Sequence, residues 1–168
     1  MRIVTGLGVL AGLACVGGPA VATTATSTFA VSLTIVATCV VNSTSTLAFG
    51  SLGVLGGSSG TTNNDATSTI AVQCTNTTPF HIGLDGGTGG GDTSTRKLLN
   101  TGSSATVNYT LWQDAGHSTN WGNTVATDTV GDTGNGASVN YTVYGRIPPQ
   151  TTPAPGTYAD VVTVTVTY

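Results

Sequence analysis

The sequence predicts an all-β protein, an immunoglobulin-like antiparallel sandwich, on three observations. Apolar residues recur at every second position in run after run. Clusters of Gly, Ser, Thr, Asn and Pro separate those runs. No window beyond the first 22 residues places apolar residues at the three- and four-residue spacing of a helix face.

The runs follow in order. Phe29, Val31, Leu33 and Ile35 share one face, with Ala30, Ser32 and Thr34 on the other. Ile70, Val72 and Cys74 share a face, as do Phe80, Ile82 and Leu84. Val107, Tyr109 and Leu111 alternate with Asn108, Thr110 and Trp112. Val139, Tyr141, Val143 and Ile147 alternate with Ser138, Asn140, Thr142 and Arg146. The last run sets Val162, Val164, Val166 and Tyr168 against Val161, Thr163, Thr165 and Thr167. Between them, residues 50–64, the glycine-rich stretch 85–92 and residues 129–136 read as turn-rich connections. Pro148-Pro149 and the stretch 153–156 end one strand before the final one begins. Six or seven short strands of this kind predict two packed antiparallel sheets.

Composition narrows the function. Charged residues make up 7% of the chain, only four are basic, and the net charge is −3. So few cations give no footprint for nucleic acid or for an anionic membrane surface. The first 22 residues read as a secretory signal: Arg2, then an apolar run from Ile3 to Ala14, then Ala20-Val21-Ala22 as a small-x-small cleavage site. That predicts export through the inner membrane and a mature chain starting at Thr23. A rival reading makes Cys15 a lipidated N-terminus, but Gly12 stands where such signals carry Leu. With Cys15 removed in the signal, Cys39 and Cys74 remain, and two cysteines in an exported protein predict a disulfide. On the chain-entropy model that bond is worth about 3–4 kcal/mol.

Catalytic, metal and cofactor readings find little to stand on. His81 and His117 lack ligand spacing to the cysteines, and His81 between Phe80 and Ile82 is expected to face outward on a strand. There is no nucleophile elbow and no paired-carboxylate pattern. The loop 85–92 lacks the Lys and following helix of a phosphate cradle, and its two Asp fall short of a calcium shell. The sequence therefore predicts no enzyme, no metal and no cofactor.

Both ends of the mature chain are unusual. An exposed sheet edge is normally blunted by charge or Pro. Here the run 29–35 is long, apolar and uncharged, behind a tether of Thr, Ala and Ser in residues 23–28, and the last strand runs out to Tyr168. Left uncovered, either is an aggregation hazard, so each is expected to pair with something.

Several stretches together resemble the spore coat protein U domain family. They are Leu47-Ala48-Phe49-Gly50, Cys74-Thr75, Tyr109-Thr110-Leu111-Trp112-Gln113-Asp114 with Trp121-Gly122, Val143-Tyr144-Gly145-Arg146-Ile147-Pro148, and the ending from Gly156 to Tyr168. Trp112 stands where the family more often has Tyr. The family includes subunits of archaic chaperone–usher pili, similar to the Csu pilus rod protein. The resemblance implies an incomplete, pilin-like sandwich that a donated strand completes. It divides the chain into a signal peptide (1–22), an N-terminal extension or donor strand (23–36) and a spore coat U domain (37–168). It implies three partners: a periplasmic chaperone that lends a strand, an outer-membrane usher, and neighbouring subunits whose N-terminal strand replaces the chaperone's. Phe29, Val31, Leu33 and Ile35 are then the pocket-filling face of the donor. Val162, Val164, Val166 and Tyr168 lie on the strand that borders the acceptor groove and faces the chaperone. Burying four such donor side chains contributes about 6–12 kcal/mol before ordering costs. Head-to-tail donation does not close, so it yields a surface fibre that serves attachment or biofilm formation. The alternative is a self-complemented monomeric coat or surface protein, or an adhesin-type binding protein.

Overall fold

The computed structural model describes residues 17–19, 21–57 and 60–168. The expected signal segment, Cys15 included, lies mostly outside the described residues. The chain divides into two units, Met1–Thr34 and Ile35–Tyr168. In the first, the described residues form neither strand nor helix, and Phe29, Val31 and Leu33 are 84–87% exposed. The alternation there predicts a strand, but a strand exists only where a neighbour takes up its main-chain groups, and among the described residues none does so.

The second unit is all-β. Among its described residues nine strands follow in order: β1 Cys39–Thr44, β2 Asn64–Cys74, β3 Pro79–Leu84, β4 Arg96–Asn100, β5 Thr106–Trp112, β6 Val130–Thr133, β7 Ser138–Ile147, β8 Tyr158–Ala159 and β9 Val164–Thr167. Six form one sheet in the order β1-β2-β7-β5-β4-β8, and three form a second in the order β6-β3-β9. Every pairing is antiparallel. The long β2 and β7 make the spine of the larger sheet, in register from Asn64 opposite Ile147 to Gln73 opposite Ser138.

The alternation read from the sequence is what buries the core. Ile70, Val72 and Cys74 of β2, Val107, Tyr109 and Leu111 of β5, and Val143 and Ile147 of β7 turn inward from the larger sheet. Phe80, Ile82 and Leu84 of β3 meet them from the smaller one. Trp121, from the loop after β5, fills the space between, and its indole N–H donates to Ile82 O at 2.8 Å. A buried indole needs that acceptor.

Within the second unit the strand map differs from the sequence reading in three further respects. β1, β4 and β8 are strands that short or polar runs concealed. Residues 129–136, expected as a turn, contain β6, whose polar residues suit a sheet edge. The closing run is the third. Only Val164–Thr167 is β9, because residues 160–163 carry the chain from β8 in one sheet to β9 in the other.

Candidate functional site: an open groove between two edge strands

β1 ends the larger sheet and β9 ends the smaller one, and the two do not pair. Between them lies a cleft of about 380 Å³. One wall is the segment 44–49, which continues from β1. Ser45 is its last residue tied to β2: its N–H donates to Thr69 O at 2.9 Å, and its Oγ accepts from Thr69 N at 2.8 Å. Beyond it Leu47 and Phe49 dip inward while Thr46 and Ala48 stay exposed. The other wall is Asp160, Val161, Val162 and Val164. The floor is core side chains: Ile70, Leu84, Leu98, Tyr109, Leu111 and Val143. A cleft that opens onto the core itself is lined by apolar surface that a further strand would bury. Along this cleft β9, as an edge strand, also presents one row of main-chain groups for pairing.

Two polar networks set the shape of the open end. Tyr109 donates its hydroxyl to Asp160 Oδ2 at 2.7 Å. Asp160 Oδ1 accepts from the N–H groups of Thr88, Gly89 and Val161 at 2.7, 2.9 and 2.8 Å. Gly87 beside it has φ of 74°, and a Cβ there would fall 2.0 Å from Asp160 Oδ2, so the glycine-rich loop is a cradle for this carboxylate. Burial and the Asp160 hydrogen bond push the Tyr109 hydroxyl well above its ordinary value, so it stays a donor.

Arg96, fully buried, holds the second network. Its Nε donates to Asp85 O at 2.7 Å, Nη1 to Thr93 O at 2.9 Å, and Nη2 to Leu84 O at 2.9 Å and Trp121 O at 2.8 Å. Burial lowers its guanidinium from the usual value, while Tyr109, Asp85, Asp160 and Asp128 oppose that. Burial also resists charge on Asp85, but the Thr163 and Gly87 hydrogen bonds and Arg96 outweigh it and hold the carboxyl below 3.8. Asp85 Oδ1 accepts from Thr163 N at 2.8 Å, which pins the crossover into β9.

The disulfide expected from the sequence joins Cys39 to Cys74, facing residues of β1 and β2. It fastens the strand that leads into the first wall. Of the strand assigned from sequence to the groove, Val162 and Val164 line the cleft. Val166 packs on the core beyond it, and Tyr168, 59% exposed, is not part of the lining. Val161 lines it too, which alternation assigned to the opposite face: at a crossover between sheets the period of two breaks. Leu47 and Phe49 were missed as wall residues, although Leu47-Ala48-Phe49 itself alternates. Of the proposed donor face, Ile35 belongs to the second unit and is 75% exposed, and Phe29, Val31 and Leu33 stand exposed in the first. His81 is half-buried against Thr129 Oγ1 at 3.2 Å. His117 sits in a loop with φ of 55°, between the rings of Trp112 and Tyr144. Among the described residues no group of His, Cys, Asp or Glu is placed to hold a metal.

The comparisons agree with this geometry. No curated protein matches the chain. A solved structure does: the crystal structure of the CsuC–CsuE chaperone–tip adhesion subunit pre-assembly complex from archaic chaperone–usher Csu pili of Acinetobacter baumannii. The match has a TM-score of 0.56 at 21% identity and covers 80% of this chain and 40% of that one, so this chain spans less than half the length of the chain it matches. At that identity the likeness is one of fold. The family model described as Spore Coat Protein U domain matches residues 25–165, a span that holds the disulfide, both walls of the cleft and the run 29–35. The chain belongs to the Spore Coat Protein U domain family.

Proposed function

We propose that this protein is a structural subunit of a chaperone–usher surface fibre, assembled by donor-strand exchange. The observation that carries the reading is the cleft between β9 and the segment 44–49, floored by core residues. A strand laid there would pair with the β9 edge and cover the partly buried apolar side chains Leu47, Phe49, Leu98, Val162 and Val164, the mode of recognition known as β-augmentation. The same chain carries a run of fitting chemistry: Phe29, Val31, Leu33 and Ile35 alternate, carry no charge and are exposed. In this reading a periplasmic chaperone fills the cleft after export, an outer-membrane usher passes the subunit on, and the N-terminal run of the next subunit takes the chaperone's place. The fibre then stands on the cell surface and serves attachment. No step calls for catalysis.

The test is to export the full chain and the variant Val31→Asp, Leu33→Asp in cells that supply the chaperone and usher. The expected result is a ladder of SDS-resistant multimers in unboiled samples of the parent and none for the variant. A concentration-independent, stable monomer from the parent would overturn fibre assembly in favour of a self-complemented coat protein.

A further inference from the structure

Gly145 lies near the end of β7, between Ala66 of β2 and Leu111 of β5, on the face turned to the core. Glycine inside a strand is less favourable than alanine, and it has no side chain to pack. It is not required by the backbone, because Gly145 is not among the residues with positive φ. It is required by space. A Cβ at this position would lie 2.7 and 2.8 Å from the two Leu47 methyl carbons and 3.1 Å from Phe49 Cζ. Gly145 leaves a hollow in the sheet, and Leu47 and Phe49 of the first wall sink into it.

We infer that Gly145 is a positioning residue for strand capture, acting through Leu47 and Phe49. The atoms a Cβ would strike are the far ends of flexible side chains, so they can move without unfolding the sheet. Leu47 and Phe49 already border the cleft, and the cleft is the open space beside them. A methyl group at position 145 therefore swings them into the path of an incoming strand. The glycine keeps the groove deep, and the Leu47-Ala48-Phe49 and Tyr144-Gly145-Arg146 stretches, about a hundred residues apart in sequence, act as one device. This inference rests on the donor-strand reading above.

The test uses the full exported chain carrying Val31→Asp and Leu33→Asp, so that it accepts a strand but gives none. Binding of a fluorescent peptide of residues 27–37 is followed by anisotropy, and the urea midpoint is measured alongside. The parent should bind. Gly145→Ala should bind roughly tenfold more weakly with little change in midpoint. Adding Leu47→Ala to Gly145→Ala should restore affinity to that of Leu47→Ala alone. A glycine with a merely structural role would lower midpoint and affinity together, without recovery on trimming Leu47. That result, or unaltered binding by Gly145→Ala, overturns the inference and leaves strand capture standing. A parent that does not bind the peptide overturns the donor-strand reading, and the inference with it.

Discussion

Tyr109 and Asp160 are joined by a 2.7 Å hydrogen bond that links the floor of the groove, on β5, to the chain where it crosses between the sheets. The same carboxylate gathers the N–H groups of Thr88, Gly89 and Val161. Removing one end of this arrangement should not equal removing the other. Tyr109→Phe loses a single bond and should cost about 1–2 kcal/mol. Asp160→Ala strands several donors and should cost more, about 3 kcal/mol or above. Urea unfolding of the two variants checks the order; equal losses would show that the loop amides find other partners.

Stability should be flat between about pH 5 and 9 and fall on both sides. Hydrogen bonds from Arg146, Thr163 and Tyr141 hold Asp65, Asp85 and Asp132 below 3.8. A lowered folded value stabilises the protein above 3.8, and that stabilisation is lost as acid protonates the carboxylates. Burial and carboxylate bonds raise Tyr109 and Tyr141 above their ordinary 10.0. A raised folded value stabilises the protein below 10, and that contribution is lost at higher pH. Thermal midpoints across the range check both limbs, and the Tyr109→Phe, Tyr141→Phe double variant should flatten the alkaline one.

Arg96→Lys should behave as a severe core mutation despite keeping the charge. Four backbone carbonyls accept from one guanidinium fork, and an ammonium cannot span them. A loss of at least about 3 kcal/mol is expected in urea unfolding, since buried acceptors are left unpaired. A loss under about 1 kcal/mol would mean that the fork's geometry does not matter here.

The Cys39→Ser, Cys74→Ser pair should lower stability by about 3–4 kcal/mol, because the bond closes a loop across a separation of 35 residues. Reduction of the parent protein should reproduce the shift, and reoxidation should reverse it. Parent and double variant unfolding at the same midpoint would show that the β1–β2 pairing alone holds the edge.

The sheets were legible because burial enforces a period of two, so β2, β3, β5 and β7 stand out as apolar alternations. β1 was hidden because it is an edge strand, with Val40 and Val41 both exposed. β6 was hidden because Gly131, Asp132 and Thr133 carry turn-like side chains on a sheet edge. The disulfide could be read from arithmetic alone. The lining of the cleft follows local pattern only in part: Val162 and Val164 alternate along it, whereas Val161 joins them through a change of sheet that no local pattern announces. Arg96 gave no sign of being buried, since its partners are backbone carbonyls, which carry no residue signature. Gly145 stood out only as part of the stretch 143–148 that resembles the family, and its meaning depends on which side chains arrive above it.

The position of the disulfide governs how the second unit would bear tension. A pull applied through the residues before 38 reaches the fold at β1, a short edge strand that would peel from its neighbour one bond at a time. Cys39 is the first residue of β1 and lies opposite Cys74, so the load meets a covalent link before it meets the ladder. It passes directly into β2, which is matched to β7 from Asn64–Ile147 to Gln73–Ser138. Force along that pair acts as shear on many hydrogen bonds at once, so the short edge ladder of β1 is bypassed and the long β2–β7 ladder carries the load.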